Sequence, residues 1–184
     1  MKIALIGGGP GGYVAAIKAA MLGAEVTVIE KKRVGGTCLN VGCIPTKSLL
    51  ASSDVLRTVK EAESFGINVE GDVKPDFQAI VAIKQKITDE LVAGIQFLFD
   101  KRGVKRIDGF GKLIDKNTIE VTKEDGSVEE VKADKIILAN GSVPTVFPFM
   151  PYNGKNVITS DEVLSLEKLP KSMVIIGGGV IGSE

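Results

Sequence analysis

Cys38 and Cys43 are the only two cysteines of the chain, and histidine is absent. Two Cys with four residues between them and no further Cys or His cannot complete a tetrahedral zinc site. They can form a disulfide if the loop folds back, and Gly42 relaxes the backbone enough for that. Cys43 lies just before an expected helix start, where the dipole favours the reactive thiolate. Lys47, four residues on, shares that helix face, and its ammonium would favour the thiolate further. The competing reading is a pair of reduced, inert, buried thiols, since buried Cys is common. Without His there is no Ser-His or Cys-His nucleophile pair, and the commonest general base is missing.

A second arrangement suits phosphate chemistry. Gly7, Gly9 and Gly12 form Gly-x-Gly-x-x-Gly directly after an expected strand and open a helix. The first glycine permits the tight turn, the second lets backbone approach a pyrophosphate, and the third lets helix and strand pack closely. The helix N-terminus then offers free N–H groups to the phosphates. Glu30 closes the next strand, 18 residues after Gly12, where a carboxylate accepts hydrogen bonds from ribose hydroxyls. The alternative is a Gly-rich turn with no ligand. The pattern recurs at Gly177, Gly179 and Gly182, so a weak internal repeat links the two ends of the chain.

The elements that must position these groups follow from periodicity. Residues 2–6 and 25–30 read as strands and 13–22 as an Ala-rich helix, a compact βαβ unit and the mark of a parallel sheet with crossover helices. Residues 35–42 read as a Gly-rich loop and 45–65 as a helix with Pro45 in its first turn. Residues 76–102 carry Ile80, Ile83, Ile87, Leu91, Ile95 and Leu98 at helical spacing, with Asp76 as N-cap. From Val104 the period changes to two. Strands over 118–122 and 128–132 flank an Asp125-Gly126 turn. Buried strands are expected over 135–139 and 173–176, with a Pro-rich linker over 143–170 between them.

The 184 residues suffice for one well-buried domain and the start of a second. Basic and acidic side chains balance at 23 each, which gives no electrostatic reason to expect nucleic acid or an anionic membrane as partner. No apolar run is long enough to span a bilayer. The apolar start at 3–6 stops at Gly7, too soon for a signal peptide. A cytoplasmic location is the resulting expectation, and there a Cys pair is more often catalytic or metal-binding than a structural staple.

The run from Gly35 through Gly36-Thr37-Cys38-Leu39-Asn40-Val41-Gly42-Cys43-Ile44-Pro45-Thr46-Lys47 closely resembles the active-site signature of the pyridine nucleotide-disulfide oxidoreductases. The resemblance extends from Gly7 to Glu184. Leu39, Ile44 and Ser48-Leu49-Leu50 look most like the branch that oxidises dihydrolipoamide. The implied fold class is α/β: a Rossmann-like FAD-binding domain with parallel sheet, crossover helices and a β-meander, plus the start of a second Rossmann-like NAD domain. The expected boundaries are 1–145 for the FAD domain, 146–170 for a linker and 171–184 for the start of the NAD domain.

The resemblance implies roles residue by residue. Cys43 would stand next to the flavin and form a thiolate-to-flavin charge-transfer pair, and Cys38 would exchange with dihydrolipoamide. Lys47 would sit near flavin N5. Gly7, Gly9, Pro10 and Gly12 would hold FAD, Glu30 would bind its adenosine ribose, and Lys31 belongs to the same set. Backbone at Gly36, Thr37 and Cys38 would line pyrophosphate and flavin, and Gly111 would present backbone to the adenine. Ala139, Gly141 and Ser142 belong to a turn similar to the family's Ala-Thr-Gly-Ser, with Asn140 in place of the usual Thr. Gly177, Gly179, Val180, Ile181, Gly182 and Glu184 would open the NAD site. Glu184 would also pair with Lys47, so an ion pair between them is expected.

Electrons would pass from dihydrolipoamide, carried on a lipoyl-domain protein, to the Cys38–Cys43 disulfide, then to FAD, then to NAD. The implied setting is a 2-oxo acid dehydrogenase or glycine cleavage complex, with a homodimer at full length and no nucleic acid, membrane or metal. The family's remaining NAD unit and its interface domain, with a His-Glu pair, are not in this sequence. The expectation is therefore a part of a chain roughly two to three times longer, with no NAD-linked turnover of its own. Mercuric, glutathione or coenzyme A disulfide reduction is an alternative. An FAD-binding module without a substrate is another, although such a module needs no dithiol.

Overall fold

The computed structural model describes residues 1–184. They divide into two compact units, one formed by 1–40 with 89–143 and the other by 41–88 with 144–184.

The first unit is built on a parallel sheet. Strands β1 (Lys2–Ile6), β2 (Glu25–Glu30), β3 (Lys105–Asp108) and β7 (Lys135–Leu138) stand in the order β3-β2-β1-β7. Leu5 faces Val28 in register and Ile6 faces Leu138. Helix α1 (Pro10–Met21) is the crossover between β1 and β2 and packs on both. It starts earlier than the 13–22 expected, because Pro10 occupies the first helical position, where its missing N–H costs nothing. Strands β4 (Phe110–Leu113), β5 (Thr118–Thr122) and β6 (Val128–Lys132) form the antiparallel meander. Ala4, Ile29 and Ile107 from the parallel sheet and Ile119 and Val121 from the meander make one buried cluster. Each of its Ile and Val side chains stabilises the fold by roughly 1.5–3 kcal/mol, so this seam fixes how the meander sits on the sheet.

Two expectations change in this unit. The 35–42 stretch is not a loop: α2 (Gly36–Val41) is helical, because glycines occur only at the ends of the stretch and the intervening residues bury Leu39. The strand at 135–139 is not buried. As β7 it is an edge that pairs with β1 alone, which leaves Leu138 exposed. Strands β3 and β4 lie where the sequence shows only a general period of two.

The second unit holds all of α3 and the first half of α4. Helix α3 (Cys43–Lys60) begins at Cys43 itself, two residues before the expected start, with Gly42 as its cap. It stops at Lys60, and a 3-10 turn over Ala62–Phe65 follows. Helix α4 (Phe77–Arg102) starts as expected, with the Asp76 carboxylate accepting from the Ala79 N–H at 3.0 Å. The 143–170 stretch contains one helical turn, α5 (Ser160–Val163), closed by a capping box from Thr159 and Glu162. The buried strand expected at 173–176 does not form. No strand pairs with it, and Val174 is 89% exposed. A strand needs a neighbour for its N–H and C=O groups, and apolar composition alone does not supply one.

Candidate functional site

The sheet of the first unit places its Gly-rich turn at the carboxyl end of β1. Gly7 has φ +105°, and its N–H donates to Ile29 O at 2.8 Å. A methyl group on Gly7 would collide with the Ala139 carbonyl, and one on Gly12 would collide with the Gly7 carbonyl. Both positions therefore exclude any side chain. Gly9 caps α1 in an extended conformation. The first-turn N–H groups of Gly11 and Gly12 have no acceptor inside the helix.

Glu30 ties this turn to the next strand. Its Oε2 accepts from the Gly8 N–H at 2.7 Å and its Oε1 from the Lys32 N–H at 2.9 Å. Each carboxylate oxygen keeps a second lone pair for another donor. Gly35 N–H donates to Gly8 O at 2.8 Å, which brings the start of α2 beside the turn. Gly36 has φ +57°, and a methyl there would come within 2.6 Å of Gly9 Cα. Gly9 and Gly36 thus bring two stretches of bare backbone into close approach beside first-turn N–H donors. That donor set fits a pyrophosphate.

The other expected residues of this unit distribute as follows. The Lys31 ammonium lies 5.8 Å from the centroid of the Phe110 ring. Gly111 is a β4 residue at which a methyl would press on Ile29, Ile6 and Ile119 at 3.2–3.4 Å, so its lack of a side chain serves packing. Ala139 N–H donates to Ile6 O at 2.8 Å and continues β7 towards the Gly7 turn. Asn140, Gly141 and Ser142 follow as exposed coil. Thr37 and Cys38 lie on α2, and Cys38 is half-buried.

Asn40 escaped the sequence reading. Its Nδ2 donates to Val34 O at 3.1 Å and to Gly36 O at 2.9 Å, and its Oδ1 is buried without a partner. It therefore clamps the entry to the helix that carries Cys38. The available signal was an Asn inside a helical turn, where its side chain competes for backbone groups.

In the second unit Cys43 is exposed at the first position of α3, at the positive end of an 18-residue helix. No disulfide joins Cys38 and Cys43 in this structure. One turn beyond Cys43, Lys47 forms the expected ion pair with Glu184. The second Gly-rich turn repeats the first. Gly177 has φ +115°, and a methyl on Gly182 would meet the Gly177 carbonyl. Gly179 has φ −75° and ψ −179°, against −74° and −174° for Gly9. Val180, Ile181 and Gly182 then form the single helical turn α6 (Val180–Ser183). Glu162, the other tightly held carboxylate of this unit, accepts from the Thr159 N–H at 2.6 Å and the Tyr152 hydroxyl at 2.7 Å. These donors pull its pKa down from 4.5 to about 2, and the same carboxylate pushes the Tyr152 phenol up.

A parallel strand, a side-chain-free turn, a crossover helix and an acid at the end of the next strand together define a dinucleotide-binding α/β protein. The family described as pyridine nucleotide-disulphide oxidoreductase matches residues 1–184, and the chain belongs to it. It is 43% identical to a dihydrolipoyl dehydrogenase of Bacillus subtilis over 185 residues, covering 100% of this chain and 40% of the relative. Against that of Acholeplasma laidlawii it is 45% identical, covering 100% and 54%. The crystal structure of LpdA from Mycobacterium tuberculosis matches with a TM-score of 0.84 at 30% identity, over 92% of this chain and 38% of that one. The chain spans between two fifths and about half of the length of these curated relatives.

Proposed function

We propose that the chain carries the FAD-binding and dithiol-bearing part of an enzyme that oxidises dihydrolipoamide with NAD as acceptor. The observation that carries this reading is the Cys43 thiol at the head of α3, one turn from a lysine held by Glu184. Disulfide exchange requires an accessible thiol, and Cys43 is exposed at the head of its helix.

The chain's own residues have separate tasks. The bare backbone of Gly7, Gly9, Gly12 and Gly36 receives the FAD pyrophosphate, and Glu30 accepts from the adenosine ribose. Lys31, Thr37, Ala139, Gly141, Ser142 and the backbone at Gly111 border the same cofactor. Cys38 exchanges with the lipoyl dithiol and Cys43 faces the flavin. Glu184 orients Lys47 towards flavin N5. FAD, when bound, supplies the two-electron acceptor that links the dithiol to NAD. Gly177, Gly179, Val180, Ile181 and Gly182 begin the NAD site. The domain assignment that accompanies this reading keeps FAD binding within 1–145, a linker over 146–170 and the start of the NAD domain over 171–184. The electron donor is dihydrolipoamide on a lipoyl-domain protein of a 2-oxo acid dehydrogenase or glycine cleavage complex. The active form is a cytoplasmic homodimer of the relatives' full length.

The test is an anaerobic titration of FAD-loaded protein with dihydrolipoamide. Loss of the oxidised flavin band, abolished by Cys43→Ser with FAD still bound, is the expected result. Reduction by glutathione but not by dihydrolipoamide would overturn the substrate assignment.

A further inference from the structure

The chain contains two Asn-Gly pairs, Asn140-Gly141 and Asn153-Gly154, and the fold holds them differently. A glycine leaves its own amide nitrogen unshielded, so in such a pair that nitrogen most easily reaches the preceding side-chain carbonyl. At the second pair the reaction is blocked. Asn153 Oδ1 accepts from the N–H groups of Lys155, Asn156 and Val157 at 2.9, 2.9 and 3.1 Å. The Gly154 N–H is engaged as well, by Val157 O at 3.2 Å. The side chain is locked in one orientation, and the attacking nitrogen is committed elsewhere. At the first pair neither restraint exists. Asn140 is exposed coil, and neither its side chain nor the Gly141 N–H is engaged in a hydrogen bond within the chain.

We propose that Asn140 is a site of spontaneous deamidation that turns a neutral edge of the Gly7 turn into an anionic one. The Gly141 nitrogen attacks Cγ of Asn140, and a C–N bond forms. The bond from Cγ to the side-chain nitrogen breaks, and that nitrogen leaves as ammonia with the proton from Gly141. Water then opens the resulting cyclic imide at either carbonyl to give aspartate or isoaspartate, with no change of oxidation state.

The position gives the new charge its effect. A methyl on Gly7 would lie 3.0 Å from Asn140 Cα, so residue 140 borders the turn assigned to the pyrophosphate. A carboxylate there repels the diphosphate. This consequence rests on the FAD reading, whereas the chemistry at Asn140 does not.

The experiment is peptide mapping by mass spectrometry after incubation of the folded protein in mildly alkaline buffer. FAD affinity is measured in parallel on fresh protein, aged protein and Asn140→Asp. The expected map shows the mass gain of an amide-to-acid exchange at Asn140, none at Asn153 and none in Asn140→Thr. Asn140 left intact while a peptide of the same local sequence converts would overturn the proposal, as would conversion of Asn153 at an equal rate. The FAD dissociation constant should rise roughly tenfold in aged protein and in Asn140→Asp, the scale of one unit charge near a diphosphate at a partly exposed site. Equal affinities would overturn the charge effect. Fresh protein that takes up no FAD would overturn the flavin reading, and the mass map would still decide the modification.

Discussion

The side chains that matter most at this site act through a few short contacts, and their magnitudes separate binding from stability. The Lys47–Glu184 pair is well exposed on the lysine side, at 60%. An exposed pair contributes about 0–1 kcal/mol to folding. Glu184→Gln should therefore leave the urea midpoint almost unchanged while slowing flavin reduction by dihydrolipoamide, as read by stopped-flow absorbance. Asn40 is the opposite case. It makes two hydrogen bonds with a largely enclosed amide, and Asn40→Ala strands the Val34 and Gly36 carbonyls. The expected cost is about 1–3 kcal/mol in a urea titration. These roles differ in how far the residue types reveal them. Cys38, Cys43, Lys47 and the glycines announce themselves by type and spacing. Asn40 does not, because its value lies in two carbonyls that only the turned backbone brings within reach.

Among the elements, the two Gly-rich turns offer a matched comparison. Gly12 and Gly182 each sit where a methyl would strike the carbonyl of the first glycine of the turn. Gly12→Ala should abolish FAD uptake, measured by the visible spectrum of the purified protein, while Gly182→Ala should leave it intact. The reverse result would exchange the assignments of the two turns. The α5 turn carries the clearest pH signature. The Glu162 pKa is depressed to about 2 in the fold from an ordinary 4.5. Its stabilising contribution is thus fully present above about 4.5 and is lost as pH falls through about 2. The Thr159 amide resonance should titrate near the lower value by NMR, and Glu162→Gln should remove that transition. A Thr159 transition near 4.5 would contradict the Tyr152–Glu162–Thr159 network.

Across the whole molecule, the two Gly-rich turns differ in support rather than in local shape. The first stands on a strand with parallel neighbours on both sides and a seam of buried aliphatics beneath it. The second follows residues 173–176, whose apolar side chains are exposed and which pair with no strand. The 184 residues alone should bind FAD but show no NADH-dependent reduction of lipoamide. Steady-state NADH oxidation by this chain with lipoamide as acceptor would overturn that expectation. No helix here is long and apolar enough to cross a membrane.

Local patterns in the sequence determined the βαβ unit, the meander hairpin and the start of α4. Each rests on neighbours a few residues apart, which is the range over which propensity, capping and motif spacing act. Tertiary structure alone decided which apolar runs become strands and which of those are covered, since a strand exists only through a partner distant in sequence. It turned the stretch between Gly35 and Gly42 into a helix, left β7 as an exposed edge, and withheld strand structure from 173–176. It also separated two identical Asn-Gly pairs, because the backbone around each fixes whether its nitrogen and side chain are committed.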